Sequence, residues 1–293
     1  MNKDNIYRSV RESLEELKNR TAVISEQRSI LVSELARNMI RLFPNASPEA
    51  LYKEFLAATN TSDISEKLIF ANVISSHFGE EKLLDSLLYE SRDKLAPAGT
   101  HGKIAYIRNR YNDEAYSKFS SVVSHSKPIF CSSFEDCCEA LTRDECEFTI
   151  LPLEDSSDGK MFGFYSLIDR YEFKIAYVCS VEHEDSSKSI RYALASKHFR
   201  LDKPEKAKAD RSRIFEFTMT HTPSNNILDI YRVASLSLAQ EHRTSSLPLP
   251  YGDNMARFYH SFIITKETRF LPFLLLLSLE YPEYSPIGIY YEI

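Results

Sequence analysis

The chain has 293 residues, 43% of them hydrophobic, with 36 Lys and Arg against 42 Asp and Glu for a formal net charge of −6. That length and apolar content support two or three folded cores and exclude a largely disordered chain. The acidic balance, with no stretch that interleaves several Lys or Arg with aromatics, excludes a nucleic-acid partner held by a basic face. The polar start Met1-Asn2-Lys3-Asp4-Asn5 leads straight into a charged helix, so no secretory signal is read and a cytoplasmic protein is expected. Cys131, Cys137, Cys138, Cys146 and Cys179 form no paired C-x-x-C and have no His at ligand spacing, so reduced thiols are expected, with no metal site and no cofactor.

From Ile6 to about Leu42 apolar residues recur at helical spacing, which predicts a long amphipathic helix with a break near Thr21. Ser47-Pro48 is a helix start, Ser as cap and Pro at the first helical position, and helices are expected at about 48–58, 63–78 and 80–92. Residues 1–95 thus form an all-helical region. The segment Ala96-Pro97-Ala98-Gly99-Thr100-His101-Gly102 is the clearest boundary. Beyond it the pattern changes to strands near 103–108, 128–131, 148–153, 173–180 and 189–196, with helices near 112–124, 133–144 and 160–171 between them. That alternation predicts βαβ units and a mainly parallel sheet. The charged stretch Leu201 to Arg213 reads as a linker. After it come a strand at 214–220, a helix at 224–240, strands near 244–250 and 256–265, a helix near 267–280 and a strand at 287–293. The run Phe270 to Leu279, broken by Pro272 and Ser278, is too short to span a bilayer and reads as a buried helix, so no membrane partner is expected. The order βαββαβ is ferredoxin-like.

The segment Ser132-Ser133-Phe134-Glu135-Asp136-Cys137-Cys138-Glu139-Ala140-Leu141, followed by Ile150-Leu151-Pro152-Leu153-Glu154-Asp155-Ser156-Ser157-Asp158-Gly159, resembles prephenate dehydratase. In that family an amphipathic "F-x-D/E-A-x-x-A-L" helix precedes a strand reading "V-x-P-I-E-N-S-x-x-G". The resemblance implies that Glu154, Asp155 and Ser156 bind substrate on a turn opening the next helix, where free N–H groups attract anions. Ser189-Ile190-Arg191-Tyr192 is the best match to the family's "T-R-F" strand, which supplies a hydroxyl and a guanidinium. Arg191 and Ser189 are therefore the catalytic candidates, and Arg108 a further carboxylate ligand. Ile190 stands where the family has threonine, and only a short acidic loop separates Ser180 from Ser189 where the family inserts a second lobe.

The resemblance implies an α+β multidomain chain. Its parts are a helical domain at 1–95 in the position of chorismate mutase, one dehydratase-like α/β lobe at 103–200, and an ACT-like ferredoxin-like domain at 212–293. Arg11, Arg28, Arg37 and Arg41 are the candidate cations of a mutase-like site. Ser224, Asn225, Asn226 and Ser246 take the places of a regulatory-ligand site, without the family's "P-G-A-L" or "E-S-R-P" residues. Three functions remain open: a diverged, non-catalytic binding or regulatory protein of phenylalanine metabolism; an active dehydratase, a carbon–oxygen lyase, completed by oligomerisation; and a structural oligomerisation module. The partners implied are a small carboxylate or aromatic amino acid and further copies of the chain.

Overall fold

A computed structural model describes residues 3–88, 101–182, 188–200, 213–220, 227–244, 249–251, 255–281 and 283–293. In chain order the elements are α1 (Lys3–Leu42), α2 (Pro48–Thr59), α3 (Ile64–Phe78), α4 (Glu80–Leu87), β1 (Lys103–Ile107), α5 (Arg110–Ser120), β2 (Lys127–Cys131), α6 (Phe134–Thr142), β3 (Phe148–Asp155), β4 (Gly159–Lys160), α7 (Phe162–Arg170), β5 (Lys174–Glu182), β6 (Ser189–Ser196), β7 (Arg213–Thr220), α8 (Ile227–Leu236), β8 (Gln240–Thr244), β9 (Leu249–Tyr251), β10 (Met255–Ile264), α9 (Phe270–Glu280) and β11 (Ser285–Glu292). They fall into two compact units, one of Met1–Leu83 with Leu271–Glu280, the other of Leu84–Phe270 with Tyr281–Ile293.

The first unit is helical. Ser47 caps α2 by accepting the Ala50 N–H at 3.2 Å, Asp63 caps α3 by accepting from Ser65 N–H at 2.9 Å, and the left-handed Asn60 closes α2. Its core is Val32, Ala36 and Met39 of α1 with Leu51 and Phe55 of α2 and Phe70 and Ile74 of α3, Phe55 and Phe70 stacking at 4.2 Å. Tyr52 and Lys67 both bond Glu280 of α9. The expected break at Thr21 is absent: α1 is continuous there, because the Thr21 hydroxyl donates back to Leu17 C=O at 2.8 Å and satisfies itself within the helix.

The second unit is built on one eleven-stranded sheet of order β2-β1-β3-β6-β5-β11-β7-β10-β8, with β4 paired to β3 and β9 to β10. The sheet is mixed rather than mainly parallel. β1 runs parallel to β2 and β3, and β5 to β11, while β3–β6, β5–β6, β11–β7, β7–β10 and β8–β10 are antiparallel. The cause is chain length: too few residues separate β5 from β6 for a crossover, so the two close as a hairpin. Strands of the segments 103–200 and 213–293 thus share one sheet through the β5–β11 pair.

Helices cover both faces of the central strands. Cys137, Cys138 and Leu141 of α6 and Tyr165, Leu167 and Ile168 of α7 pack on Leu151, Leu153, Val178 and Ala193 on one side; Ala115 and Phe119 of α5 pack on Ile104, Ile150 and Leu194 on the other. Two-sided cover is why β3 and β6 read as near-continuous apolar runs. On β7, Phe217 meets His260 and Phe262 of β10, which Tyr231 of α8 also meets, while Ile214 turns to the opposite face and joins the α7 side.

Two boundaries move from their expected places. The helix expected over 224–240 ends at Leu236, because Leu238 adopts a left-handed φ of 59° and turns the chain into β8 at Gln240, while residues 224–226 lie outside the described residues. The helix expected from residue 160 begins at Phe162, with Gly159–Lys160 pairing instead as β4 against Asp155 and Glu154.

Candidate functional site

The expected ligand turn does not open a helix. Asp155 accepts from the N–H of Ser157 at 2.8 Å and from the Ser157 hydroxyl, and Gly159 takes φ +80°, so residues 155–159 make the turn of the β3–β4 hairpin. Met161, which precedes α7, offers no side-chain cap to the helix. The anion-attracting helix start is therefore corrected: the Asx turn and the left-handed glycine close a hairpin before the helix begins. Ser156 is engaged as well. Its N–H donates to Ser189 C=O at 2.9 Å and its hydroxyl accepts Ser189 N–H at 2.8 Å, prolonging the β3–β6 ladder.

Arg191 and Glu154, by contrast, are brought together. The register pairs Glu154 with Arg191 across β3 and β6, after a shift between Pro152 and Glu154, and the guanidinium donates to Glu154 Oε2 at 2.9 Å. Its other nitrogen reaches Glu292, the last residue of β11. The Arg191 side chain is 7% exposed and that of Glu292 39%, so the pair joins a buried cation to a carboxylate at the surface. Strand alternation puts Ser189 on the same face of β6 as Arg191. Arg108 lies elsewhere, exposed at the end of β1 with its guanidinium 5.3 Å from the Phe130 ring centroid. Ser224, Asn225, Asn226 and Ser246 lie outside the described residues.

Deeper in, β7 contributes Glu216, the only charged residue of Ile214-Phe215-Glu216-Phe217-Thr218-Met219. Its carboxylate accepts from Tyr290 OH at 2.7 Å, Tyr165 OH at 3.2 Å and Lys160 Nζ at 3.3 Å. Lys160 also sits 4.7 Å from the Tyr165 ring centroid and 5.3 Å from that of Tyr259, while those two rings meet edge to face. Arg257 ties the outer side by pairing with Asp169 of α7. The side of the site that the sequence leaves open is thus filled by β7 and β11.

The electrostatics follow from this packing. Burial alone would raise the Glu216 carboxyl, but Lys160, the Tyr290 hydroxyl and Arg191 outweigh it and hold the carboxyl below its ordinary value. Burial works against the Arg191 charge, and Tyr290, Glu292, Tyr165 and Glu216 overcome it and hold the guanidinium above its ordinary value. Burial, reinforced by Glu216, pushes Tyr165 and Tyr290 well up, and burial with Asp169 and Glu216 raises Tyr259. Each group is fixed more firmly in the form it already holds at neutral pH.

Lys160, Tyr165, Glu216, Tyr290 and Glu292 were not candidates from the sequence. Glu216 alone carried a usable signal, since a charge inside an otherwise apolar strand demands a buried partner.

Among solved structures, the chain is similar to a prephenate dehydratase from Streptococcus mutans, at 14% identity over 65% of this chain and 98% of that one, with a TM-score of 0.53. A prephenate dehydratase from Arthrobacter aurescens, solved in complex with L-Phe, matches at 11% identity, over 64% and 89% of the two chains, with a TM-score of 0.49. GqqA, described as a novel type of quorum quenching acylase, matches at 17% identity over 64% and 94%, with the same score. No protein-family model and no curated protein matches the sequence. What the first match establishes is a fold: a mixed α/β structure of the prephenate dehydratase kind, preceded by helices. No helix among the described residues is long and apolar enough to cross a membrane.

Proposed function

We propose that this chain is a diverged, shortened prephenate-dehydratase-like protein of phenylalanine metabolism that has lost turnover and acts as a cytoplasmic binding or regulatory protein. Its ligand is a small carboxylate or aromatic amino acid. The observation that carries this reading is the internal neutralisation of Arg191, whose two guanidinium arms are held by Glu154 and Glu292. A dicarboxylate substrate would have to displace two of the chain's own carboxylates from a 7%-exposed cation. Ile190, where the resembling strand has a hydroxyl, removes the proton donor as well. In this reading residues 212–293 are a βαββαβ, ACT-like module, an assignment supported by the strand order β11-β7-β10-β8.

The test is phenylpyruvate formation from prephenate by the purified full chain, together with calorimetric titration of L-Phe. No turnover above the uncatalysed rate is expected, with saturable binding of the amino acid. Turnover well above background that disappears in Arg191→Ala would replace this reading with an active dehydratase completed by oligomerisation.

A further inference from the structure

Within the helical unit α1 and α3 lie side by side and run in the same sense, with Arg28 meeting Glu66 near the start of α3. Toward their C-terminal ends they border a cleft of about 450 Å³, lined by Arg37, Ile40 and Arg41 of α1 and by Asn72, Val73 and His77 of α3. That volume falls among small-molecule sites, about 300–1,000 Å³, and is far more than a bare ion needs. Ile40 and Val73 are half-buried and give the cleft an apolar part, while the polar residues around them are exposed. The polar lining carries positive charge, and no Asp or Glu is among it. Arg20 and Arg28, earlier on the same helix, each hold a carboxylate, Glu16 and Glu66. Among the described residues neither Arg37 nor Arg41 has one.

We infer that this cleft binds a phosphorylated small molecule, with the phosphate on Arg37 and Arg41 and the apolar body against Ile40 and Val73. The helix ends explain only part of the charge. Arg41 and His77 stand in last turns, where a cation complements the helix dipole, but Arg37 lies a turn earlier. The carbonyls of Met39 and Ser75 at those ends already accept the N–H groups of Phe43 and Gly79, at 2.9 and 3.1 Å. The Ser76 hydroxyl turns back to Asn72 C=O at 2.8 Å and leaves the Asn72 amide group to the cleft. The donors thus come from two sides, two guanidiniums one turn apart on α1 and an amide and an imidazole on α3. A planar carboxylate is matched by a single guanidinium fork, which takes both of its oxygens. A phosphate, with three terminal oxygens and a charge of about −2, can use donors from both helices at once. The four arginines of a mutase-like set do not gather here: Arg28 is held by Glu66, and Arg11 lies about seven helical turns before Arg37.

This inference rests on the helical unit alone and is independent of the dehydratase-like reading. Calorimetric titration of the full chain with phenyl phosphate should show one saturable site. Phenylacetate, a similar ring on a carboxylate, and inorganic phosphate, which lacks the ring, should each bind about tenfold more weakly or worse. R37Q/R41Q should weaken phenyl phosphate about 100-fold, tenfold for each charged donor lost, with unchanged helical circular dichroism. K53Q, at an exposed lysine of α2 outside the cleft, should bind as the parent does. Saturating L-Phe should leave the affinity unchanged, which separates this site from the one proposed for the α/β unit. Absence of saturable binding, equal affinity in R37Q/R41Q and the parent, or displacement by L-Phe overturns the site. Phenylacetate bound as tightly as phenyl phosphate overturns the phosphate class.

Discussion

The first half of α1 and the Arg191–Glu216 cluster are opposite in how their surfaces are satisfied. On the first half of α1, Leu14, Leu17 and Ile24 stand in water, and the polar residues beside them are exposed as well. In the cluster, charges and phenols are out of water and engaged one with another, down to Glu216, whose two oxygens take three donors. Covering that apolar surface would add hydrophobic free energy. A ligand reaching Arg191 would first have to break charge-assisted bonds in a low-dielectric setting. In the cluster the bonding capacity of these groups is taken up within the chain.

The largest effect should come from breaking the cluster at its centre. Glu216→Ala leaves Lys160 buried without its counter-charge and the Tyr165 and Tyr290 hydroxyls without their acceptor, and should cost about 3–5 kcal/mol in chemical denaturation. Replacing the pair together, as K160M/E216L, should recover the part of that loss owed to the stranded Lys160 charge, while Tyr165 and Tyr290 still lack their acceptor; a double variant as unstable as the single one would show that the tyrosine hydroxyls carry the whole effect. Next is Gly288→Ala. A Cβ there would stand 2.7 Å from the Tyr290 ring and 3.0 Å from Ile175 Cβ, on the strand that delivers Tyr290 to Glu216. Overpacking of this kind should cost about 1–3 kcal/mol, and the Tyr290 fluorescence environment should change with it.

Acid should act on the cluster in a definite direction. Because the folded carboxyl of Glu216 lies below its unfolded value of 4.5, its contribution is complete above that value and lost as pH falls through the lower, folded one. Melting temperatures measured from pH 6 down to pH 2 should therefore fall less steeply in E216Q than in the parent chain. Parallel acid profiles for the two proteins would mean that the carboxylate gains nothing from its donors.

What the sequence made legible follows the range over which each feature is determined. Caps are local, and Ser47, Asp63, Asn109 and Ser133 sit where their helices start. Residues 155–159 were ambiguous because an acidic, hydroxyl-rich run ending in glycine suits a helix start or a hairpin turn, and the pairing of Lys160 with Glu154 selects the hairpin. Arg191 and Glu154 were legible only through the resemblance, and their meeting depends on a register shift that no local pattern encodes. Glu216, Tyr290 and Glu292 arrive from strands 25 or more positions beyond Arg191. Their convergence is a property of the sheet order.

The smallest expected effect separates a structural from a ligand-binding role for Ser156. Its hydroxyl accepts the Ser189 N–H at 2.8 Å in an exposed turn, so water can replace it when Ser156→Ala removes the oxygen. The cost should be about 0.5–1 kcal/mol, the net worth of one hydrogen bond in water. If the turn only holds β3 to β6, calorimetric titration of L-Phe should give the same affinity in Ser156→Ala as in the parent. A loss of affinity of tenfold or more with stability almost unchanged would place the hydroxyl on the ligand instead. The closed cluster beside it would then be the wall of an open site, reached through the hairpin rather than past Glu292.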